Sequence, residues 1–574
     1  MSAPSSCVRG HGQKLSWGEW AAGAGVSLGV AVAVVSPFFF LGTASGHDIA
    51  FHMASWLDAA GQWKQGIFLP RWTEWANFGY GEPRFIFYPP LSWLFGAALG
   101  SLIPWTAVTA VFIVCVQTFA GISTFALLRR IAETRGAALF GAACFAANPY
   151  ALVIIYARSD FAELLALAFF PVLFFCAFRL CGALNEPRDG ANGLREIAVF
   201  AASFCGVWLA NAPAAVIATY SMAFLFVFAA LETRALAALL KGYGGMLLGF
   251  GLAGFYLVPA IYEQRWVTIA GALAVGLTPA ENFLYTRTTD AEHDAFNRVA
   301  SNIAALLVVW AAAGLAVMWR AKRQRDFAWK GLLMPLAGLT AAVPLLMLPV
   351  TSLLWRWLPE LRFVQFPWRW MSVLATCAVI FMGATWRGTA RWIWLAVAAL
   401  AIVGSGRYLV KHTWWDTEDM PTLQAAMESG EGFEGTDEYD PKSDDHTDLP
   451  QKQPRAEFVR SKGELQEQDK ISIDAWIAEY RALATSTTQA SRVAIRLVDY
   501  PAWRVTVNGK PINVQHGPGT AQMVVPVPAG ESRIEIRLTR TMDRTIGGII
   551  SVLSACGFVG LLLWESRKRI GTQL

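Results

Sequence analysis

The stretch Pro89-Pro-Leu-Ser-Trp-Leu-Phe-Gly-Ala-Ala-Leu-Gly-Ser-Leu-Ile-Pro-Trp105 decides how this chain is threaded. It is apolar enough for hydrocarbon, barely long enough to cross it, and bracketed by prolines, which set helix starts and stops. Around it, apolar stretches of spanning length lie near 21–41, 107–128, 136–155, 162–180, 196–210, 213–231, 242–262, 300–319, 331–350, 367–386, 391–410 and 546–564. If Leu91 to Ile103 crossed as well, Arg129 and Arg130 would face outward. Read as a re-entrant or interfacial helix, it leaves about a dozen spans. The basic groups Arg129/Arg130/Arg135, Arg188/Arg195, Arg234/Lys241, Arg320/Lys322/Arg323/Arg325, Arg387/Arg391 and Arg567/Lys568/Arg569 then share one face. The positive-inside rule makes that face cytoplasmic and puts both termini there. The first run follows Arg9 and Lys14 and exceeds the roughly 7 to 15 residues of a signal-peptide core, so an uncleaved first helix is expected.

Composition agrees. Of 574 residues, 55% are apolar and 16% charged, with mean hydropathy +0.40, which excludes an ordinary soluble domain. The net charge of +5 comes from short basic segments beside apolar runs, a topology signal, and nucleic acid is excluded as a partner. Cys115, Cys144, Cys176, Cys205, Cys377 and Cys556 lie in apolar runs, and Cys7 and Cys181 beside cytoplasm-like segments, so no disulfide framework is implied.

Function is therefore sought in the outward parts, near 42–106, 156–163, 263–299, 351–366 and 411–545, or within the bundle. Trp56, Trp63, Trp72, Trp75, Phe78, Tyr80, Phe85, Phe87 and Tyr88 make the first loop aromatic, and it is expected to lie on the membrane surface. Residues 1–410 read as a transmembrane domain, 411–545 as an outward β-rich domain, and 546–574 as a last span and tail. The β-rich domain starts acidic, from Glu428 through Asp437, Glu438, Asp440, Asp444 and Asp445 to Asp448, where calcium binding and a solvated loop both remain open. Alternation then predicts strands at Arg492–Val498, Trp503–Val507, Gln522–Val527 and Arg533–Leu538, with turns at Asn508-Gly509 and Pro528–Gly530. A small antiparallel sandwich follows.

Chemistry centres on Ser45-Gly-His-Asp-Ile-Ala-Phe-His52, just beyond the first span. Asp48 is suited to act as a general base toward a hydroxyl, or to cap the helix Ile49 to Gln65. His47, Asp48 and His52 admit a divalent cation, although only Asp48 and His52 share a helical face. A second outward group, Tyr156-Ala-Arg158-Ser-Asp160-Phe-Ala-Glu163, sits so near hydrocarbon that its charges need a reason: a cap with an ion pair, or a polar cluster facing the cavity of Asp48. Arg356, Arg362 and Arg369 lie among aromatics at the start of a span, placed either to bind phosphate or to snorkel, and Arg71 and Arg84 are comparable. A phosphate-cradling Gly-rich loop, a His-Glu-x-x-His helix, a Cys-x-x-Cys pair and a Ser nucleophile elbow are all missing from the sequence.

An Asp after the first span, a long outer loop, a Tyr-Pro-Pro-Leu segment and an acidic turn before the fourth span resemble membrane glycosyltransferases of the GT-C fold. Gly46-His-Asp48, Phe87-Tyr-Pro-Pro-Leu91, Asn148-Pro-Tyr150, Arg158-Ser-Asp160, Phe255-Tyr-Leu-Val-Pro-Ala260 and Gln365-Phe-Pro-Trp-Arg369 resemble, more closely, bacterial membrane proteins labelled "6-pyruvoyl-tetrahydropterin synthase-related", akin to the YfhO-type family. Tyr500-Pro-Ala-Trp503, Val507-Asn-Gly-Lys510 and Val527-Pro-Ala-Gly530 are similar to the end of YfhO-type proteins. Pterin chemistry is not expected, since no histidine cluster for its zinc is present. The resemblance implies an all-α GT-C-like bundle in the bacterial inner membrane. It also implies inverting sugar transfer from a polyprenyl-phosphate donor to a lipid-linked or cell-envelope acceptor on the periplasmic face. Asp48 and Asp160 would be catalytic, with Asp48 the base, while His47, His52, Arg71, Arg84, Arg158, Glu163, Arg362 and Arg369 would bind substrate. The alternative is a non-catalytic envelope protein or lipid-linked-glycan transporter on the same scaffold, because a fold does not fix a function.

Overall fold

A computed structural model describes residues 15–184, 193–322, 330–442, 446–459 and 468–571. Cys7, Arg9, Lys14, Arg188, Arg323, Arg325, Asp444 and Asp445 lie outside the described residues, as do the side chains of Lys322 and of Arg567 to Arg569.

Among the described residues, 9 helices are long and apolar enough to cross a membrane: Trp17–Leu41, Trp105–Ile131, Arg135–Arg158, Phe161–Leu180, Ala212–Thr233, Ala291–Arg320, Pro367–Thr385, Ala390–His412 and Met542–Trp564. Two bent pairs raise the total to 11, Leu236–Leu252 with Gly254–Trp266 at 73° and Leu332–Leu346 with Pro349–Trp357 at 96°. The count falls short of the expected dozen at 196–210. There the helix Leu194–Ala210 has only 17 residues, with Arg195 and Glu196 in its first turn. At 1.5 Å per residue it is about 25 Å long, and its charged first turn shortens the apolar part further.

Pro90–Gly100 is an 11-residue helix with proline in its first turn. Its length of about 16 Å falls well short of the roughly 30 Å of hydrocarbon. It packs on the helix Ile49–Lys64, with Gly96 directly under the Trp56 indole, where a Cβ would lie 2.4 Å from ring atoms.

The first loop departs from the surface-lying arrangement expected of it. Trp56, Trp72, Tyr80 and Phe85 are at most 1% exposed. Ile49–Lys64 is covered by Pro90–Gly100 and by the helix Asp419–Glu428. Trp72 packs against Trp503 and Tyr500 of the β-rich region, with centroids 5.3 and 5.8 Å apart. Trp72 and Tyr80 are interior because the chain returns after residue 411 and supplies protein where lipid was anticipated, whereas Trp56 packs on Phe112 and Phe161 of the bundle and Phe85 on Trp93. A short ladder marks that return, β1 (Thr43–Ala44) pairing antiparallel with β2 (Trp415–Asp416).

The β-rich region contains β3 (Ala456–Phe458), β4 (Lys470–Ile477), β5 (Tyr480–Thr487), β6 (Ser491–Val498), β7 (Trp503–Val507), β8 (Lys510–Pro511), β9 (Gln515–His516), β10 (Gln522–Val527) and β11 (Gly530–Leu538). They form two antiparallel sheets, ordered β3-β6-β10-β9 and β4-β5-β11-β7-β8. The alternating residues Val493, Ile495 and Leu497 share one apolar cluster with Ile534, Ile536, Val505 and Val507 of the other sheet. All four strands read from alternation are present, and Asn508 (φ 50°) with Gly509 (φ 77°) makes the left-handed turn that joins β7 to β8.

Candidate functional site

Two turns distant in sequence meet at the end of the bundle. Gly46 lies so close to the backbone of Ala157 and Arg158 that a Cβ would stand 2.5 Å from the Arg158 carbonyl carbon. The Gly46 amide donates to Ser159 Oγ (3.0 Å) and the Asp48 amide to the Arg158 carbonyl (2.9 Å), while Ser159 Oγ donates to the Ala44 carbonyl (2.8 Å). Arg158 ends a π-helical turn, Ile154–Arg158, and Ser159 follows at φ 55°. π-turns in helices frequently occur at functional sites. Here the turn reverses the chain between two spans within three residues.

Asp48 precedes Ile49–Lys64 but its side chain makes no capping hydrogen bond. Its Oδ2 accepts from Arg158 Nη2 (2.5 Å) and Nε (3.0 Å), while Oδ1 accepts nothing from a described residue. The side chain is 33% exposed. Asp160 does cap its helix, accepting from the Glu163 amide at 2.9 Å. The same carboxylate lies 3.3 Å from Arg369 Nη2, 3.7 Å from Arg158 Nη2 and 3.5 Å from His52 Nε2. Burial alone would raise Asp160; His52, Arg369 and Arg158 outweigh it and hold the carboxyl well below the ordinary range. Behind Asp160, Glu163 accepts from Arg369 Nε (3.0 Å) and from the Tyr150 hydroxyl. Arg369 is fixed further by the Val364 carbonyl and Gln365 Oε1, at 3.0 and 3.1 Å. Phe366 presents its ring to both guanidinium groups, 4.7 Å from Arg158 and 4.8 Å from Arg369.

This cluster forms one wall of a cavity of about 610 Å³. His47, Asp48, Arg158, Asp160 and Arg369 line it, with apolar surface from Phe51, Phe87, Tyr88, Phe296, Phe363 and Phe366. His47 stands edge-on to Phe296, at 5.2 Å, and burial together with nearby Arg158 pushes its imidazole down, toward the neutral form.

The remaining sequence candidates fall elsewhere. His52 and Glu163 lie behind the lining, 1% and 2% exposed. Arg84 is buried on Glu82 (2.6 Å) and bonds Ser55 and Thr436. Arg71 reaches the Phe255 carbonyl at 3.4 Å, and burial lowers it to about 10. Arg362 is exposed and lies over its neighbour Phe363. No group of three or more His, Cys, Asp or Glu side chains suited to a metal occurs among the described residues. Asp48 and His52 supply only two ligands, and His52 Nε2 meets Asp160 instead at 3.5 Å.

Sequence reasoning missed a further part of the lining, Thr436, Glu438 and Tyr439 together with Asp290, Glu292 and His293. The acidic segment is only partly a solvated loop: Tyr439 and Asp440 are buried, and Asp437–Tyr439 forms one 3₁₀ turn. Its signal was an aromatic and a proline, Tyr439 and Pro441, set among acids. The lining thus has carboxylates at Asp48, Asp160, Asp290, Glu292 and Glu438 against guanidinium groups at Arg158 and Arg369. Both guanidinium groups already serve protein carboxylates, so an entering phosphate would share them. No protein-family model matches the chain, and among curated proteins none matches it.

Proposed function

We propose that this protein is a GT-C-like membrane glycosyltransferase of the bacterial inner membrane, with a β-sandwich beside its cavity on the periplasmic face. It moves a sugar from a polyprenyl-phosphate donor to a lipid-linked or cell-envelope acceptor, with inversion at the anomeric carbon. One observation carries this reading: Asp48, Arg158, Asp160 and Arg369, drawn from three separate parts of the chain, line one cavity at the end of a spanning bundle. In the transfer, an acceptor hydroxyl attacks the anomeric carbon as a carboxylate takes its proton. Arg158 and Arg369 stabilise the departing phosphate with charge-assisted hydrogen bonds. Asp48, through the two bonds to its Oδ2, orients Arg158. A divalent cation, if the donor brings one, would meet Asp48 at the lining.

One feature favours the second reading, a binding protein or glycan transporter on the same scaffold. Arg158 and Arg369 are neutralised by Asp48, Asp160 and Glu163, a pairing that stabilises the site without any phosphate. Transfer of labelled sugar from synthetic polyprenyl-phosphate donors by the purified protein separates the two. Wild type is expected to transfer, and Asp48→Asn to lose about a hundredfold or more. Full activity in Asp48→Asn removes Asp48 from the chemistry. Donor binding without transfer in wild type selects the binding protein.

A further inference from the structure

Asp290, Glu292 and Glu438 are cavity carboxylates that make no ion pair with a described residue; of these three only Glu438 is half-buried, the other two being exposed, and its backbone is pinned on both sides. On one side, the Thr436 amide donates to Glu82 Oε2 (2.9 Å) and Arg84 Nη2 donates to Thr436 Oγ1 (3.2 Å). On the other, the Thr268 amide donates to the Asp440 carbonyl (2.8 Å), and Val267 pairs with Pro441. Tyr439 stacks on Phe87 with ring planes 6° apart. Gly271 closes against the turn so tightly that a Cβ would lie 3.0 Å from the Glu438 amide. The backbone carrying Glu438 is thereby pinned at both ends, and the half-buried residue lines the cavity.

Resting on the transferase reading, we infer that Glu438 is the catalytic base of the cavity, and that Asp48 acts chiefly by orienting Arg158. A carboxylate bound through two bonds to a guanidinium resists taking a proton, whereas a desolvated carboxylate bonded to no cation accepts one more readily. The groups around Glu438 fit that role. Glu82 and Asp437 oppose its charge, Arg84 favours it but is committed to Glu82, and the packed segment Ile269–Leu273 carries no ionisable side chain. Burial, with these neighbours, pushes Glu438 up to about 7. In the step, the acceptor O–H bond breaks and its proton passes to the Glu438 carboxylate. The acceptor oxygen bonds the anomeric carbon, and the anomeric carbon–oxygen bond breaks with its electron pair leaving on the polyprenyl phosphate. Glu438 then returns the proton to solvent.

Two measurements test this. Single-turnover transfer is followed against pH for wild type, Glu438→Gln, Glu438→Asp and Asp48→Asn. The wild-type rate is expected to climb with pH through about 7 and then level. Glu438→Gln should lose about a hundredfold or more and with it the pH limb. Glu438→Asp should keep the limb at a lower rate, and Asp48→Asn should be slow with the limb intact. Separately, an apolar carbodiimide, which captures protonated carboxyls, is expected to label Glu438 at neutral pH and not at alkaline pH, read by peptide mass spectrometry. Transfer by Glu438→Gln at the wild-type rate, or a limb lost only in Asp48→Asn, overturns the inference. So does transfer without pH-dependent labelling. Labelling of Glu438 with no transfer at any pH overturns the transferase reading instead, and this role with it.

Discussion

At the scale of the residue, the charges that mattered were those whose partners lie far away in sequence. Asp48 was legible as a candidate because a lone carboxylate after an apolar run is conspicuous. Whether it capped a helix or faced Arg158 depended on a turn 110 residues away. Arg84 looked equivalent to Arg369 in sequence, yet it is spent on Glu82 and on holding Thr436. Asp58 illustrates how burial acts on a single group. It is 1% exposed and accepts from Gln62 Nε2 (2.6 Å) and the Trp75 amide (3.0 Å), and burial lifts its carboxyl from 3.8 to about 7. The folded protein therefore binds this proton more tightly than the unfolded chain does. The corresponding stability is complete below about 3.8 and is lost as pH rises through about 7. The thermal midpoint of the wild type is expected to fall over that window. Asp58→Asn should flatten the decline without abolishing it, since Glu438 contributes in the same sense. An undiminished slope in Asp58→Asn would count against a buried, protonated Asp58.

At the scale of the element, helices were read more completely than strands. Apolar runs of spanning length identify themselves, because hydrocarbon demands an unbroken apolar helix. The strand β5 was missed because Tyr480-Arg-Ala-Leu-Ala484 uses good helix formers and places Arg481, 1% exposed, on a buried position. The last span depends on a contact invisible in sequence. Gly547 meets the helix Gly254–Glu263 so closely that a Cβ would lie 2.5 Å from the Gly254 carbonyl oxygen. Nearby, Arg544 clamps Glu263 at 2.7 and 2.9 Å, and Ser551 Oγ bonds the Gly251 and Leu252 carbonyls at 3.1 and 3.0 Å. Small residues allow such approach between helices in lipid. Gly547→Val is expected to cost about 1–3 kcal/mol of docking by overpacking. A lowered thermal midpoint and faster proteolysis beside residue 540 would report it; unchanged behaviour of both would show that the helices adapt.

At the scale of the whole molecule, the first loop, the chain after residue 411 and the bundle form one interlocked unit, and the cavity lies where the three meet. The basic segments predict that both termini face the cytoplasm and that the sheets lie outside. A fluorescent protein fused to the C-terminus should therefore fluoresce in cells. With Cys7 and the exposed Cys115 and Cys556 replaced by serine, Asn508→Cys in the β7–β8 turn should react with a membrane-impermeant maleimide before lysis. Labelling only after lysis reverses the orientation. The sequence by itself determined that the chain is a multi-pass helical bundle with a strand-rich region before its last span, because hydrophobic run length and period are local properties. It also marked Arg158 and Asp160 as charges so near hydrocarbon that they need a reason, and Asp48 and Arg369 as candidates among several. Only the tertiary structure decided that these four share a cavity with Glu438, that the aromatic loop is interior, and that Arg71, Arg84 and Arg362 are not at the wall. A buried charge needs a partner, and which partner it finds is set by packing between segments hundreds of residues apart, where no periodicity reaches.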